Sequence, residues 1–246
     1  MKFVPVRLLS AAFLCLGLVA VSASLAGTPT LGEQIAAQPD RIEKDRREDA
    51  LRQPAKFLDF VEARPGMKAL DIMAGGGYTA ELLARAAGPA GQVWGHNAPD
   101  RPDRVVFANR LETKAMANAH HFISPIDEPI PAGLHDLDLV TFVLNYHDTV
   151  YLPVDRAKMN KAVFDGLKHG GLYVIVDHSA RPGDGITVGQ TLHRIEEASV
   201  VREVEAVGFQ KIAEGGYLRH PEDSRDQAFF DRAEPTDRFV LKFRKP

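Results

Sequence analysis

Between residues 68 and 87 the chain passes from a short buried strand, 68–73, through a glycine-rich turn, 74–78, into a helix, 79–87, with Leu82 and Leu83 facing inward. Gly75, Gly76 and Gly77 free the backbone of side chains, so the main chain can turn sharply and approach a ligand closely. The helix that follows aims its first N–H groups at the same place. A strand that feeds a helix in this way is half of a βαβ unit, and the next strand must lie parallel to the first.

The rest of the sequence keeps that rhythm. Gly88, Pro89 and Gly91 end the helix, 92–95 reads as a second strand, 105–119 as a helix, 121–123 as a third strand and 137–144 as a long apolar fourth. Helical spacing over 155–167 is capped by His169, Gly170 and Gly171, and 172–176 is a fifth strand. A helix over 194–207 is broken by Gly208, and 210–217 and 238–243 are two strands with no helix between them. The pattern predicts an α/β fold: a mostly parallel seven-stranded sheet with helices on both faces and a C-terminal antiparallel hairpin. Ahead of it, 38–64 is polar with Ile42, Leu51, Phe57, Leu58 and Val61 at helical intervals, and is read as one or two helices interrupted at Pro54.

The first 26 residues stand apart. Lys2 and Arg7 precede an apolar run, 8–21, that ends in small residues, the pattern of a secretory signal peptide with cleavage after Ala23 or Ala26. Its rival is an uncleaved anchor over 8–26. The expected organisation is a signal peptide at 1–26, an N-terminal helical segment at 27–64 and the α/β domain at 65–246, in a protein exported to the periplasm with no stable membrane association once the signal is removed. The one cysteine, Cys15, falls in the signal, so the mature chain has no disulfide, thiolate metal site or cysteine nucleophile. Without Lys2 and Arg7 the chain carries 28 basic and 33 acidic residues, a formal charge of −5, with the two signs interspersed. Such a surface offers no footprint for nucleic acid and points to a small-molecule substrate. The oligomeric state is not legible.

Leu70-Asp71-Ile72-Met73-Ala74-Gly75-Gly76-Gly77-Tyr78 resembles the first motif of class I S-adenosylmethionine-dependent methyltransferases, in which an acidic residue closes the first strand and glycines follow. Leu167-Lys168-His169-Gly170-Gly171 is similar to that family's turn before the fifth strand. Asn145-Tyr146-His147-Asp148 and Asp177-His178-Ser179 resemble segments of a bacterial subfamily of predicted exported methyltransferases. The resemblance implies a Rossmann-like methyltransferase fold and S-adenosylmethionine as cofactor. Asp71, Ala74, Gly75, Gly77 and Tyr78 would line its methionine and ribose portion, and Asp127 would meet the adenine edge. Two positions depart from the family: Met73 stands where glycine is usual, implying a wider turn or a displaced cofactor, and His96-Asn97 replace the acidic residue that grips the ribose, leaving Asn97 as an uncharged partner for it.

Ligands of open α/β sheets sit outside the carboxyl ends of the strands, so Asn145, Tyr146, His147 and Asp148 after the fourth strand and Asp177 and His178 after the fifth should converge. His147 is the first choice for a general base, His178 the alternate, with Asp148 or Asp177 orienting it. Asn145 joins the cofactor side and Tyr146 offers an aromatic face to the sulfonium cation. The same residues can instead hold a loop together through side-chain bonds to backbone. His147, His178 and His193 also suit zinc or copper, but no close His-x-His or His-x-x-x-His pair exists among them, and no metal is expected. Arg46, Arg47 and Arg52 either reach the cofactor carboxylate or pair with neighbouring acids on a helix surface. The expected function is methyl transfer to a small acceptor. The alternative is a non-catalytic periplasmic ligand- or metal-binding protein that retains the fold.

Overall fold

The computed structural model describes residues 1–2, 28–231 and 233–246, so the signal-peptide segment lies, but for Met1 and Lys2, outside the described residues. Among the described residues one seven-stranded sheet forms: β1 (Lys68–Ile72), β2 (Gln92–Asn97), β3 (Ala119–Ile123), β4 (Leu137–Val143), β5 (Leu167–His178), β6 (Gln210–Glu214) and β7 (Arg238–Arg244), in the order β3-β2-β1-β4-β5-β7-β6. The first five pair in parallel, and β7 runs antiparallel to both β5 and β6.

Alternation along each strand explains why both faces are covered. Ala69, Val174 and Val176 point to one core, under α1 (Leu31–Ala36), α3 (Pro54–Phe60) and α4 (Tyr78–Ala87). Leu70, Ile72, Tyr173 and Ile175 point to the other, under α6 (Arg156–Gly166) and α8 (Glu197–Glu205). The stretch 38–64 holds two helices, with Pro54 opening α3 at its first turn, and α1 lies ahead of it. Between α1 and α3, α2 (Glu43–Arg52) is polar on all sides, and ion pairs fix it: Arg41 grips Asp49 with two bonds of 2.6 and 2.8 Å, and Asp45 takes Arg110 at 2.5 Å.

Three expectations are corrected. The helix expected over 105–119 is α5 (Arg104–Arg110) and stops there, with the Thr113 hydroxyl closing on the Arg110 carbonyl. Asn118 then donates to the Ala84 and Gly88 carbonyls at the end of α4 and leads into β3. His169, Gly170 and Gly171 do not cap α6; β5 has already begun, and 168–171 loop out of its register while Gly170 N–H bonds the Lys245 carbonyl. The helix expected from residue 194 begins only at Glu197. Fully buried Arg194 is tied to Asp223, Ser179 O and Gln227 O, and Ile195 bridges Ser179, which keeps this stretch extended.

β1 marks the reversal of strand order, with β2 on one side and β4 on the other. A crevice opens there at the carboxyl ends of the strands.

Candidate active site

That crevice is a cleft of about 640 Å³. Asp71 and the glycine turn form its floor, α2 its roof, and Asn145, His178 and Phe229 its far wall. Gly75 and Gly77 adopt φ of +55° and +90°, and Gly77 precedes the first residue of α4. A Cβ at Gly75 would stand 2.9 Å from the Asp103 carboxylate, and one at Gly77 would stand 3.0 Å from both Arg110 and Phe107. Side chains at these positions would close the floor.

Met73 does not widen the turn. Its φ of +53° is the left-handed conformation that glycine would take, and three bonds impose it: Met73 N–H to His96 Nδ1 at 3.4 Å, Ala74 N–H to the His96 carbonyl at 2.8 Å, and Asn145 to the Met73 carbonyl at 3.4 Å. Asn97 is likewise structural. Fully buried, it accepts Gly75 N–H at 2.9 Å and donates to the Gly75 carbonyl at 3.1 Å, so both ends of its amide are spent on the turn. Burial also pushes the His96 imidazole down to about 4, against a raising hydrogen bond to the Ser124 carbonyl, and keeps it neutral at pH 7.

Asp71 accepts the Thr141 hydroxyl at 2.6 Å, and its carboxyl is pushed up to about 7 by burial. Asp103, before α5, sets its Oδ2 beside Gly75 and 3.5 Å from Arg101, while its Oδ1 is buried with no partner among the described residues. Buried carboxylate oxygens are seldom left unpaired, so this one stands out among the described residues. Sequence reading missed it because it lies in the loop beyond the strand end, among Arg101 and Arg104.

Tyr146 and Asp127 lie away from the cleft. The Tyr146 ring is in the core under α6, its hydroxyl donating to Glu203 at 2.8 Å and accepting from Asn160 at 2.8 Å, so it presents no face to a sulfonium. Asp127 pairs with Lys158 at 3.2 Å. Tyr78 stays at the roof, where its hydroxyl donates to Asp49 at 2.7 Å and Arg52 stacks on its ring at 4.5 Å. Of the three arginines, only Arg52 reaches the cleft; Arg46 and Arg47 pair with Glu43 on the helix surface.

His147 is buried, with Nδ1 2.7 Å from Asp177 Oδ1, its backbone N–H 2.7 Å from Asp177 Oδ2 and Nε2 3.1 Å from Asp148 Oδ1. Burial opposes its charge, yet the two carboxylates outweigh burial and push it up to about 10. An imidazolium that donates from both nitrogens cannot accept a proton, so the expectation of His147 as general base is corrected. His178 behaves oppositely. Burial, aided by Arg238, His147 and Arg194, holds it well below the ordinary histidine range, so it stays neutral. Its Nδ1 is 2.6 Å from the Thr236 hydroxyl, its ring stacks on Phe229 at 4.6 Å, and it lines the cleft.

With this geometry in place, the chain can be set against known proteins. Residues 34–118 match the protein-L-isoaspartate (D-aspartate) O-methyltransferase family model. The ubiquinone/menaquinone biosynthesis C-methyltransferase of Ralstonia pickettii is 31% identical over 131 residues, covering 50% of this chain and 49% of that one. Its counterpart in Burkholderia multivorans is 31% identical over 119 residues, covering 48% and 46%. The chain thus spans about half the length of these relatives. Among solved structures, a SAM-dependent methyltransferase from Aquifex aeolicus superposes with a TM-score of 0.60 at 15% identity, covering 81% of this chain and 96% of that one. The [4+2]-cyclase SpnF superposes with a TM-score of 0.59 at 16% identity, covering 79% and 82%. The fold is the Rossmann-like methyltransferase fold. Together with the family model and the half-length relatives, it supports the class I S-adenosylmethionine-dependent methyltransferase family for this chain.

Proposed function

We propose that the chain is an enzyme that binds S-adenosylmethionine over the glycine turn and transfers its methyl group to a small acceptor admitted beside His178 and Phe229. The observation that carries the reading is the glycine turn under the cleft, whose Gly75 and Gly77 hold left-handed dihedrals and leave its floor open beside Asp103. The cofactor supplies an activated methyl group; the chain's residues position it and handle the proton. Gly75 and Gly77 admit it, Asp103 accepts from its hydroxyls and Asp71 closes the strand end below it. On the far wall, His178, neutral at pH 7, is the group that takes the acceptor's proton in place of His147. Two relatives named as ubiquinone/menaquinone biosynthesis C-methyltransferases, together with the ring faces of Phe229 and Phe230, favour an aromatic or otherwise apolar acceptor. Export to the periplasm belongs to the same proposal and rests on Lys2, Arg7 and the apolar run after them.

A ligand-binding protein without turnover is the second reading. Asn97 favours it, since its amide is spent on Gly75 instead of being offered to a ligand, and SpnF, a [4+2]-cyclase, is a reminder that this fold is not tied to one reaction. Calorimetry with S-adenosylmethionine and S-adenosylhomocysteine tests the proposal. Micromolar binding that is lost in Asp71→Ala supports it, and no binding at millimolar cofactor ends it.

A further inference from the structure

Behind Arg101 and Phe229, off the cleft, one ring nitrogen each from His147 and His193 and a carboxylate oxygen of Asp148 lie within 4.8 Å of one another. His147 Nε2 is 3.1 Å and His193 Nδ1 3.5 Å from the same Asp148 Oδ1. The Tyr151 hydroxyl reaches that oxygen too, at 2.5 Å. Donor atoms bound at about 2.0–2.2 Å to one ion stand roughly 3–3.6 Å apart, so these spacings suit a shared ion.

The surroundings aim the donors inward. Asp177 takes the Nδ1–H of His147 and turns Nε2 toward Asp148, which is the carboxylate–histidine arrangement that orients metal-bound imidazoles. Asp177 is itself fixed by the backbone N–H groups of His147 and His178 at 2.7 and 2.8 Å. His193 holds a left-handed φ of +51°, which a non-glycine residue adopts at some cost, and its ring packs edge-on against Tyr151 and Phe230. Without an ion, the lone pairs and protons of two imidazoles and a phenol crowd one carboxylate oxygen. A dication among them would replace the proton on His147 Nε2 and satisfy both rings and the carboxylate together.

We propose that His147, Asp148 and His193 form a site for one divalent transition metal, zinc by preference. Two imidazoles are borderline donors that suit zinc better than calcium or magnesium, the carboxylate suits either, and three protein ligands leave a coordination position for water or another oxygen. The Phe229 ring lines the cleft and packs edge-on against both His147 and His193, which do not themselves line it. The site stands whether or not the cleft holds S-adenosylmethionine.

The test is calorimetric titration of the chelator-treated protein with zinc chloride, alongside its melting curve. One equivalent of zinc bound with micromolar or tighter affinity, and a raised melting temperature, are expected. His193→Asn, which keeps a residue tolerant of left-handed backbone at a part-exposed position, should weaken binding by more than about a hundredfold, because loss of a ligand exceeds the roughly 10–100-fold cost of losing an orienting neighbour. A cooperative melt of His193→Asn without zinc shows that it folds, and cofactor calorimetry on the same variant reads the cleft separately. Binding no tighter than millimolar, or equal binding by wild type and His193→Asn, overturns the proposal.

Discussion

The two walls of the cleft are held in different ways. At the ends of β1 and β2, the turn is fixed by neutral groups: the Asn97 amide clamps Gly75, uncharged His96 receives Met73 N–H, and glycines leave the floor open. At the ends of β4 and β5, charged groups do the holding, with doubly bonded His147 between Asp177 and Asp148 and Arg101 3.6 Å from the latter. The first wall falls within the stretch that matches a family model, 34–118, and the second lies beyond it. On the proposed reading, the floor for the cofactor is written in backbone shape, whereas the wall that would face the acceptor is written in charged side chains.

The contrast can be broken most forcefully at Asp177. Asp177→Ala leaves the His147 charge buried without its main partner and should cost about 3–5 kcal/mol, read as a fall of roughly 10 °C in melting temperature. A loss below about 1 kcal/mol would mean that the second wall does not depend on charge.

The neutral wall should respond to acid. His96 is held at about 4 when folded against 6.5 when unfolded, so the unfolded chain takes up the proton first. Its contribution is present above pH 6.5 and is lost as pH falls from 6.5 toward 4, by up to about 3 kcal/mol. Urea unfolding at pH 7 and pH 4.5 should show this increment in the wild type and lack it in His96→Gln; equal acid sensitivity in both would assign it elsewhere.

Asp103→Ala sharpens the comparison by separating binding from folding. Cofactor affinity should fall about 10–100-fold, the worth of a hydrogen bond to a charged group, with the melting temperature hardly changed. Undiminished affinity would remove Asp103 from the first wall. The smallest effect belongs to Arg47→Ala, whose exposed pairing with Glu43 should leave both melting temperature and cofactor affinity within experimental error; a measurable loss of affinity would bring that face of α2 into the site.

Much of the fold was legible because its strands and helices bury regular patterns. Leu172 through Val176 are apolar on both sides of the sheet, and the β6–β7 hairpin was visible from the absence of a helix between its strands. The irregular stretches were not: α5 ends where Arg110 turns in to meet Asp45, 65 positions away, and residues 194–195 are extended because a buried arginine is anchored to Asp223. The site divided in the same manner. Asp71, the glycines, Asn145 and His178 sit at strand ends, where topology alone brings them to the cleft. Asp103, Arg101 and Phe229 arrive on loops, and no local spacing announces them. The wrong assignments were of direction: Tyr146 follows a strand end as expected but turns into the core, and His147 is in the right neighbourhood with both nitrogens already committed.

Met73 shows what a glycine motif is made of. The backbone there takes the dihedral that glycine would take, although the residue is a buried methionine, since His96 and Asn145 dictate it from outside. The signature is therefore a property of the neighbours as much as of the letters, and the letter can drift while the neighbours stay. Chains that share this floor will be under-counted by any search that spells the turn in glycines, and better found by one that asks which residues stand at the ends of β2 and β4.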